Sequence, residues 1–255
     1  MKICILGATG NSGSRLLRQA LDRGHLVTAV TRKGGTLLDV RHENLAVRAV
    51  DYTHDQDLKD AMREQDAVLN AAGYLSDPSF SAVVGRVIRA ADATLGPGGR
   101  FWLFAGAALL DVPDTTTMTV DLPMIPSIYQ AHRTNYDAIR GTRLDWSILC
   151  PGPMMASPDG QATEGLILSR DIWPVPRPAY TRFLPPIALS LAFKKNLPRL
   201  TVYYEDAAMV ILDNLDKNGR FTCNRVGIAL PKGIQRHKKN YSTAPPAPAG
   251  SDHRV

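Results

Sequence analysis

Cysteine is scarce in this sequence. Its three residues, Cys4, Cys150 and Cys223, are odd in number, form no C-x-x-C pair and each fall in an apolar stretch that reads as strand. This excludes a disulfide scaffold and a cysteine-based zinc site, and it fits a reducing cytosol, so a cytoplasmic location is expected. Long apolar runs are also missing. The first run is too short to span a bilayer and lacks a basic stretch, apolar core and small-residue cleavage site, so neither leader nor membrane partner is expected. The second, "PPIALSLAF" from Pro185 to Phe193, is followed by Lys194 and Lys195 and reads as a core helix. No cluster has metal-ligand spacing, no nucleophile has a partnered base, and no repeat shows a solenoid period. Metalloenzyme, hydrolase and solenoid readings lose their support.

What is present begins with a basic balance, +6 overall with a pI near 9.3. From Pro231 to Val255 five basic residues (Lys232, Arg236, Lys238, Lys239, Arg254) face one acid, Asp252, which accounts for +4 of the total. The body is therefore only mildly basic. That final stretch ends in "YSTAPPAPAGSDHRV" and is too poor in large apolar groups to offset its ordering entropy, so residues 231–255 read as a flexible tail with no nucleic-acid partner. The remaining 230 residues read as one domain, which suits a chain of this size with 44% hydrophobic and 21% charged residues.

Short, continuous apolar runs alternate with helical spacing along most of it. Strands are expected at 2–6, 26–31, 45–50, 67–71, 100–104 and 146–150, each continuous as a strand covered on both faces should be. Helices are expected at 12–23, 55–64, 79–94 and 127–141. Right-handed crossovers between parallel strands then give an α/β, Rossmann-type doubly wound sheet with its ligand cleft at the carboxyl ends of the strands. After Pro151 the pattern loosens into a proline-rich region, "DIWPVPRPAYTRFLPP". It recovers in "LTVYYEDAAMVILDNL", a strand end feeding a helix that Asp206 would cap, and in "GRFTCNRVGIAL", a late strand. Residues of about 153–200 should supply the substrate wall.

The stretch "KICILGATGNSGSRLL" carries the clearest chemistry. Gly7, Gly10 and Gly13 are spaced G-x-x-G-x-x-G between the first strand and the first helix. Such a turn lets backbone N–H groups approach a pyrophosphate at a helix N-terminus, so the loop through Thr9, Asn11 and Ser12 is expected to hold a dinucleotide. The second strand ends in "VTAVTRKGG", with Thr31, Arg32 and Lys33 where an NAD-preferring site places Asp or Glu. Arg32 suits the 2′-phosphate of NADP(H), with NAD(H) the weaker alternative; as a solvated loop charge it would serve neither.

Taken together, "GATGNSGSRLL", "VRAVDYTHDQDLKDAM", "RGTRLDWSILCPGPM" and "YEDAAMVILDNL" with "RFT" resemble the atypical short-chain dehydrogenase/reductase group, which includes flavin reductases and biliverdin-IXβ reductase-like proteins. The likeness runs from Met1 to about Ala229. It implies an NADPH-binding domain with Asp51 and Tyr52 beside the adenine. It also implies that "NAAG", including Ala71, Ala72 and Gly73, lies beside the ribose and nicotinamide half, and that the loop at Pro151 passes the nicotinamide.

The catalytic part departs from the wider group. In place of Tyr-x-x-x-Lys stands Tyr129 with Arg133, and an arginine cannot relay a proton. Gly106, Ala107 and Ala108 stand where relatives carry a hydroxyl. His132 matches a histidine that the resemblance implies near the substrate. Tyr74, Phe80, Met154, Met155 and Trp173 could wall a planar acceptor or be ordinary core. Two functions remain open: a reductase of a small planar or carbonyl acceptor, and an NADP(H) sensor of the NmrA-like kind. A small-molecule partner is expected, with a homodimer as a possibility.

Overall fold

Ile3, Cys4, Ile5 and Leu6 are all fully buried, because the strand they form has a neighbour on each side and helices on both faces. The computed structural model describes residues 1–32, 40–175 and 183–238. Lys33, part of the proline-rich region and tail residues 239–255 lie outside them. Strands β1 (Lys2–Leu6), β2 (Leu26–Thr31), β3 (Leu45–Ala49), β4 (Ala67–Asn70), β5 (Arg100–Phe104) and β6 (Asp145–Cys150) lie within a residue of their expected bounds. So do helices α1 (Asn11–Asp22) and α3 (Phe80–Leu95), whereas α2 (Asp55–Met62) stops two residues early. Expected helix 127–141 divides into a 3-10 turn (Ser127–Tyr129) and α4 (Gln130–Arg140).

Further strands and α-helices among the described residues are β7 (Met154–Met155), β8 (Ile167–Arg170), α5 (Pro186–Leu200), β9 (Val202–Tyr203), α6 (Tyr204–Leu212) and β10 (Asn224–Ala229), with short 3-10 turns at Ala107–Leu109 and Thr119–Asp121. The main sheet has eight strands in the order β3-β2-β1-β4-β5-β6-β10-β8, and β7 pairs with β9 separately. All its pairs are parallel except β8, which runs antiparallel to β10 with Ile167 opposite Ala229. The chain leaves β1 in one direction for β2 and returns to pair β4 on the other side. That reversal opens a crevice between the loops after β1 and β4.

Alternation along β1 divides the core into two layers. Ile3 and Ile5 pack with Leu16 and Leu17 of α1 and Ala207 and Ile211 of α6. Cys4 and Leu6 pack on the opposite face with Leu58 of α2, Val84 of α3 and Ile139 of α4. Each fully buried aliphatic side chain contributes about 1.5–3 kcal/mol.

Three expectations need correction. The third strand is covered on one edge only: β3 pairs with β2 alone, and residues 46–49 are exposed. The expected core helix, α5, is buried through Leu189, Phe193 and Leu200, but Ile187 and Leu191 face outward at 58% and 53% exposure. Cys223 is exposed in a turn at φ 54° rather than in a strand, although Cys4 and Cys150 are buried strand residues as expected. Asp206 does serve the start of α6. Its carboxylate accepts the Tyr203 N–H at 2.8 Å.

Candidate functional site

Gly7 adopts φ +74°, and a Cβ there would stand 2.7 Å from the Ala72 nitrogen and 2.8 Å from the Ala71 carbonyl carbon. Only glycine lets the loop after β1 lie so close to the loop after β4. Gly13 serves another contact, since its Cβ would fall 2.1 Å from the Gly7 oxygen. It seats α1 against the loop. Gly10 is the N-cap of α1, with no side-chain cap and no acid in the first turn, which leaves the helix's first N–H groups without a side-chain acceptor.

Beside this turn lies a groove of about 970 Å³, lined by Gly7, Thr9 and Gly10, then Arg32, then Asp51 and Tyr52, and closed by Ala71, Ala72 and Gly73. Nine of the thirteen expected cofactor residues thus come together. Asn11, Ser12 and Gly13 sit in the first turn of α1 and do not line the groove, and Pro151 lines the neighbouring cavity instead. The Tyr52 hydroxyl accepts the Gly7 N–H at 3.2 Å and so tethers the glycine turn; burial pushes its phenol up. Asp51 is held below the usual carboxylate range by the Thr53 N–H and hydroxyl. The buried Asn70 uses its Oδ1 to accept the Ala72 N–H at 3.1 Å, while its Nδ2 has no partner among the described residues.

The second hollow, about 460 Å³, adjoins the first, because Tyr74 lines both. Its floor is Gly106, Ala107 and Ala108, and the Ala107 N–H donates to the Pro151 carbonyl at 2.7 Å. No hydroxyl rises from that floor. Tyr129 and His132 line one wall with rings stacked at 6.2 Å, and Phe80 meets His132 edge-on at 5.6 Å. His132 is 8% exposed, its Nε2 would be 3.3 Å from a Cβ on Gly106, and its Nδ1 is buried without a hydrogen-bond partner among the described residues. Burial holds its pKa down at about 4. The imidazole is neutral at pH 7.

Arg133 does not join them. It ion-pairs with Asp121 at 2.6 Å and lines neither hollow, so the Tyr129–Arg133 pair is not assembled. Of the expected wall, Tyr74 and Met154 line the smaller cavity and Phe80 lines the groove, whereas Met155 lines neither. Trp173 is core, packed on Phe193 and hydrogen-bonded through its indole N–H to Thr119. Phe193 and Leu197 of the lining fall within the span of about 153–200 expected to supply the wall, whereas sequence reasoning did not find Ile125, Ile128 and Tyr204. It also missed Asp77, Ser79 and Thr53 of the groove. For Asp77 a signal existed in "DPS", where its carboxylate accepts the Ser79 N–H at 2.8 Å and caps the turn into α3.

A parallel sheet with a glycine turn at its switch point and a groove beside that turn defines a dinucleotide-binding protein of Rossmann type. The family model for NAD(P)H-binding proteins matches residues 7–170. The chain belongs to that family. It is 28% identical over 185 residues to the uncharacterized protein YwnB of Bacillus subtilis (strain 168), an alignment covering 67% of this chain and 80% of YwnB. The fold is also that of a proposed NADH-flavin reductase from Streptococcus pneumoniae TIGR4 (TM-score 0.67, 23% identity, 91% of this chain and 100% of that one). It is likewise shared by a short-chain dehydrogenase/reductase from Veillonella parvula DSM 2008 in complex with NADP (TM-score 0.61, 19% identity, 92% and 96%). Among the described residues no helix is long and apolar enough to cross a membrane, and no group of His, Cys, Asp or Glu could hold a metal ion.

Proposed function

We propose that the protein is an NADPH-dependent reductase of a planar or carbonyl acceptor. The supporting observation is the pair of adjoining hollows, a glycine-turn groove and a largely apolar cavity, joined at Tyr74. The residues fit the cofactor: the cradle tolerates no Cβ at Gly7, and Arg32 at the end of β2 on the groove supports a 2′-phosphate. Reduced nicotinamide, when bound, supplies hydride. The chain's own part is to bind and orient the two partners and to exclude water between them.

The proton side is modest. His132 is neutral and buried, so it offers a hydrogen bond more readily than a proton, and Arg133 is engaged elsewhere. Tyr129 is the hydroxyl beside His132, and Tyr74, Ser76 and Tyr204 also line the cavity. An acceptor that spreads the incoming charge over a conjugated ring, such as a flavin or quinone, needs little acid catalysis and suits this arrangement better than an aldehyde does. The same poverty favours a second reading, an NADP(H)-binding sensor without turnover.

Anaerobic NADPH oxidation with a panel of flavins, quinones, tetrapyrroles and aldehydes separates the two readings. The reductase predicts turnover with conjugated acceptors and slow or no turnover with aldehydes. Tight NADPH binding with no oxidation across the panel would establish the sensor instead.

A further inference from the structure

We propose that the acceptor carries a carboxylate or phosphate, which Lys194 and Lys238 receive at the edge of the apolar cavity. The C-terminal segment beyond the expected domain is the element that brings Lys238 there. The inference rests on the cavity being the acceptor site and extends that reading to the acceptor's charge.

The ionisable side chains that line the cavity are Tyr74, Tyr129, His132, Lys194, Tyr204 and Lys238. None is a carboxylate, and His132 is held neutral by burial. Apart from the Ser76 hydroxyl and the glycines, the remaining wall is aliphatic, aromatic or thioether, through residues such as Ile125, Phe193, Leu197 and Met154. Two cations thus border an apolar space, and neither makes an ion pair among the described residues. A ligand that fills the apolar part and ends in an anion satisfies both kinds of surface.

Lys194 comes from α5, but Lys238 belongs to a stretch whose sequence reads as tail. Two residues before it, Arg236 is fixed from several directions. Its Nη1 meets Asp206 Oδ2 at 3.2 Å, its Nη2 donates to Thr163 Oγ1 at 2.7 Å, and its guanidinium lies 3.5 Å from the Tyr203 ring centroid. Its backbone N–H donates to the Pro198 carbonyl at 2.9 Å. Asp206 is fully buried and also accepts the N–H groups of Tyr203 and Thr163. A buried ion pair of this kind contributes little net stability but fixes one geometry. Here it fixes the chain next to Leu197 and Tyr204, both in the cavity wall. From Arg236, Lys238 is within about 7 Å of chain. Arg236 is a positioning residue, and the lysines are the binding groups.

Calorimetry on the full-length protein saturated with NADP⁺ tests this with two matched pairs. Riboflavin and flavin mononucleotide differ by a phosphate; naphthoquinone and a naphthoquinone carboxylic acid differ by a carboxylate. The anionic member of a pair should bind about tenfold tighter or more, the usual effect of one charge-assisted contact. Preference in the flavin pair assigns phosphate, and preference in the quinone pair assigns carboxylate. The double variant Lys194→Gln/Lys238→Gln should bring each pair within about twofold. Arg236→Gln should reduce the preference, and Arg236→Lys should restore part of it. Equal binding within both pairs, a preference that survives the double variant, or no binding of any of the four would overturn the proposal. Charge preference without NADPH oxidation would overturn the reductase reading alone, and oxidation without charge preference would overturn this one alone.

Discussion

The proposed preference for NADPH rests on a single side chain, Arg32. It is exposed at the carboxyl end of β2 and lines the groove, and the last described residues at that strand end, Thr31 and Arg32, include no acid to accept a ribose 2′-hydroxyl. A charge-assisted contact with a 2′-phosphate contributes about 1.5–3 kcal/mol, so Arg32→Ala should weaken NADPH about tenfold or more and leave NADH nearly unchanged. Titration of both cofactors checks this, and equal losses would remove the assignment. His132 makes a second prediction at this scale. Its pKa falls from 6.5 in the unfolded chain to about 4 in the folded one. Between those values the unfolded state binds more protons, so stability is complete above about pH 6.5 and is lost as pH falls towards 4. From pH 7 to pH 5 the loss is about 2 kcal/mol. Urea unfolding at the two pH values should show it in the wild type, with a clearly smaller loss in His132→Phe; equal losses would mean that the imidazole is not desolvated.

At the scale of elements, what the sequence revealed and what it hid follow one physical division. Central strands such as β1 and β6 are buried on both faces, so each reads as a continuous apolar run. The glycine turn was legible because backbone crowding at Gly7 and Gly13 restricts those positions to one residue. β8 gave no such run, since Ile167–Arg170 is an antiparallel edge strand with three half-buried residues and an exposed Arg170. The proposed acceptor wall was hidden for a related reason. It is assembled from α5, α6 and loops far apart in sequence, so no local spacing joins Ile125 to Phe193 or Tyr204. Likewise, helical spacing put Tyr129 and Arg133 one turn apart, but it could not show that Asp121 draws the arginine away.

One inter-strand tie was also invisible locally. Arg100 begins β5 fully buried, paired at 3.1 Å with Asp145, which begins β6 and also accepts the Asn218 N–H at 2.7 Å. Asp145→Ala leaves that guanidinium buried without its counter-charge and should cost about 3–5 kcal/mol in urea unfolding. A loss below about 1 kcal/mol, within the range of an exposed pair, would show that the pair is solvated.

For the whole molecule, the sheet's change of direction between β1 and β4 places one hollow on the glycine turn, and the loops after β4, β5 and β6 place a second beside it. We read these as separate compartments of one reaction, cofactor in the first and acceptor in the second. Gly106 separates them experimentally: it lies on the floor of the second hollow, against His132, and does not line the first. A leucine there occupies acceptor space and leaves the groove intact. The decisive measurement is the rate of anaerobic NADPH oxidation by a flavin or quinone in wild type and Gly106→Leu, with NADPH affinity determined on the same preparations. The account predicts oxidation by the wild type, a loss of about a hundredfold or more in the variant, the scale on which misplaced reactants lose rate, and unchanged NADPH affinity. Oxidation at the wild-type rate by Gly106→Leu, or a variant that loses NADPH along with its activity, would contradict it.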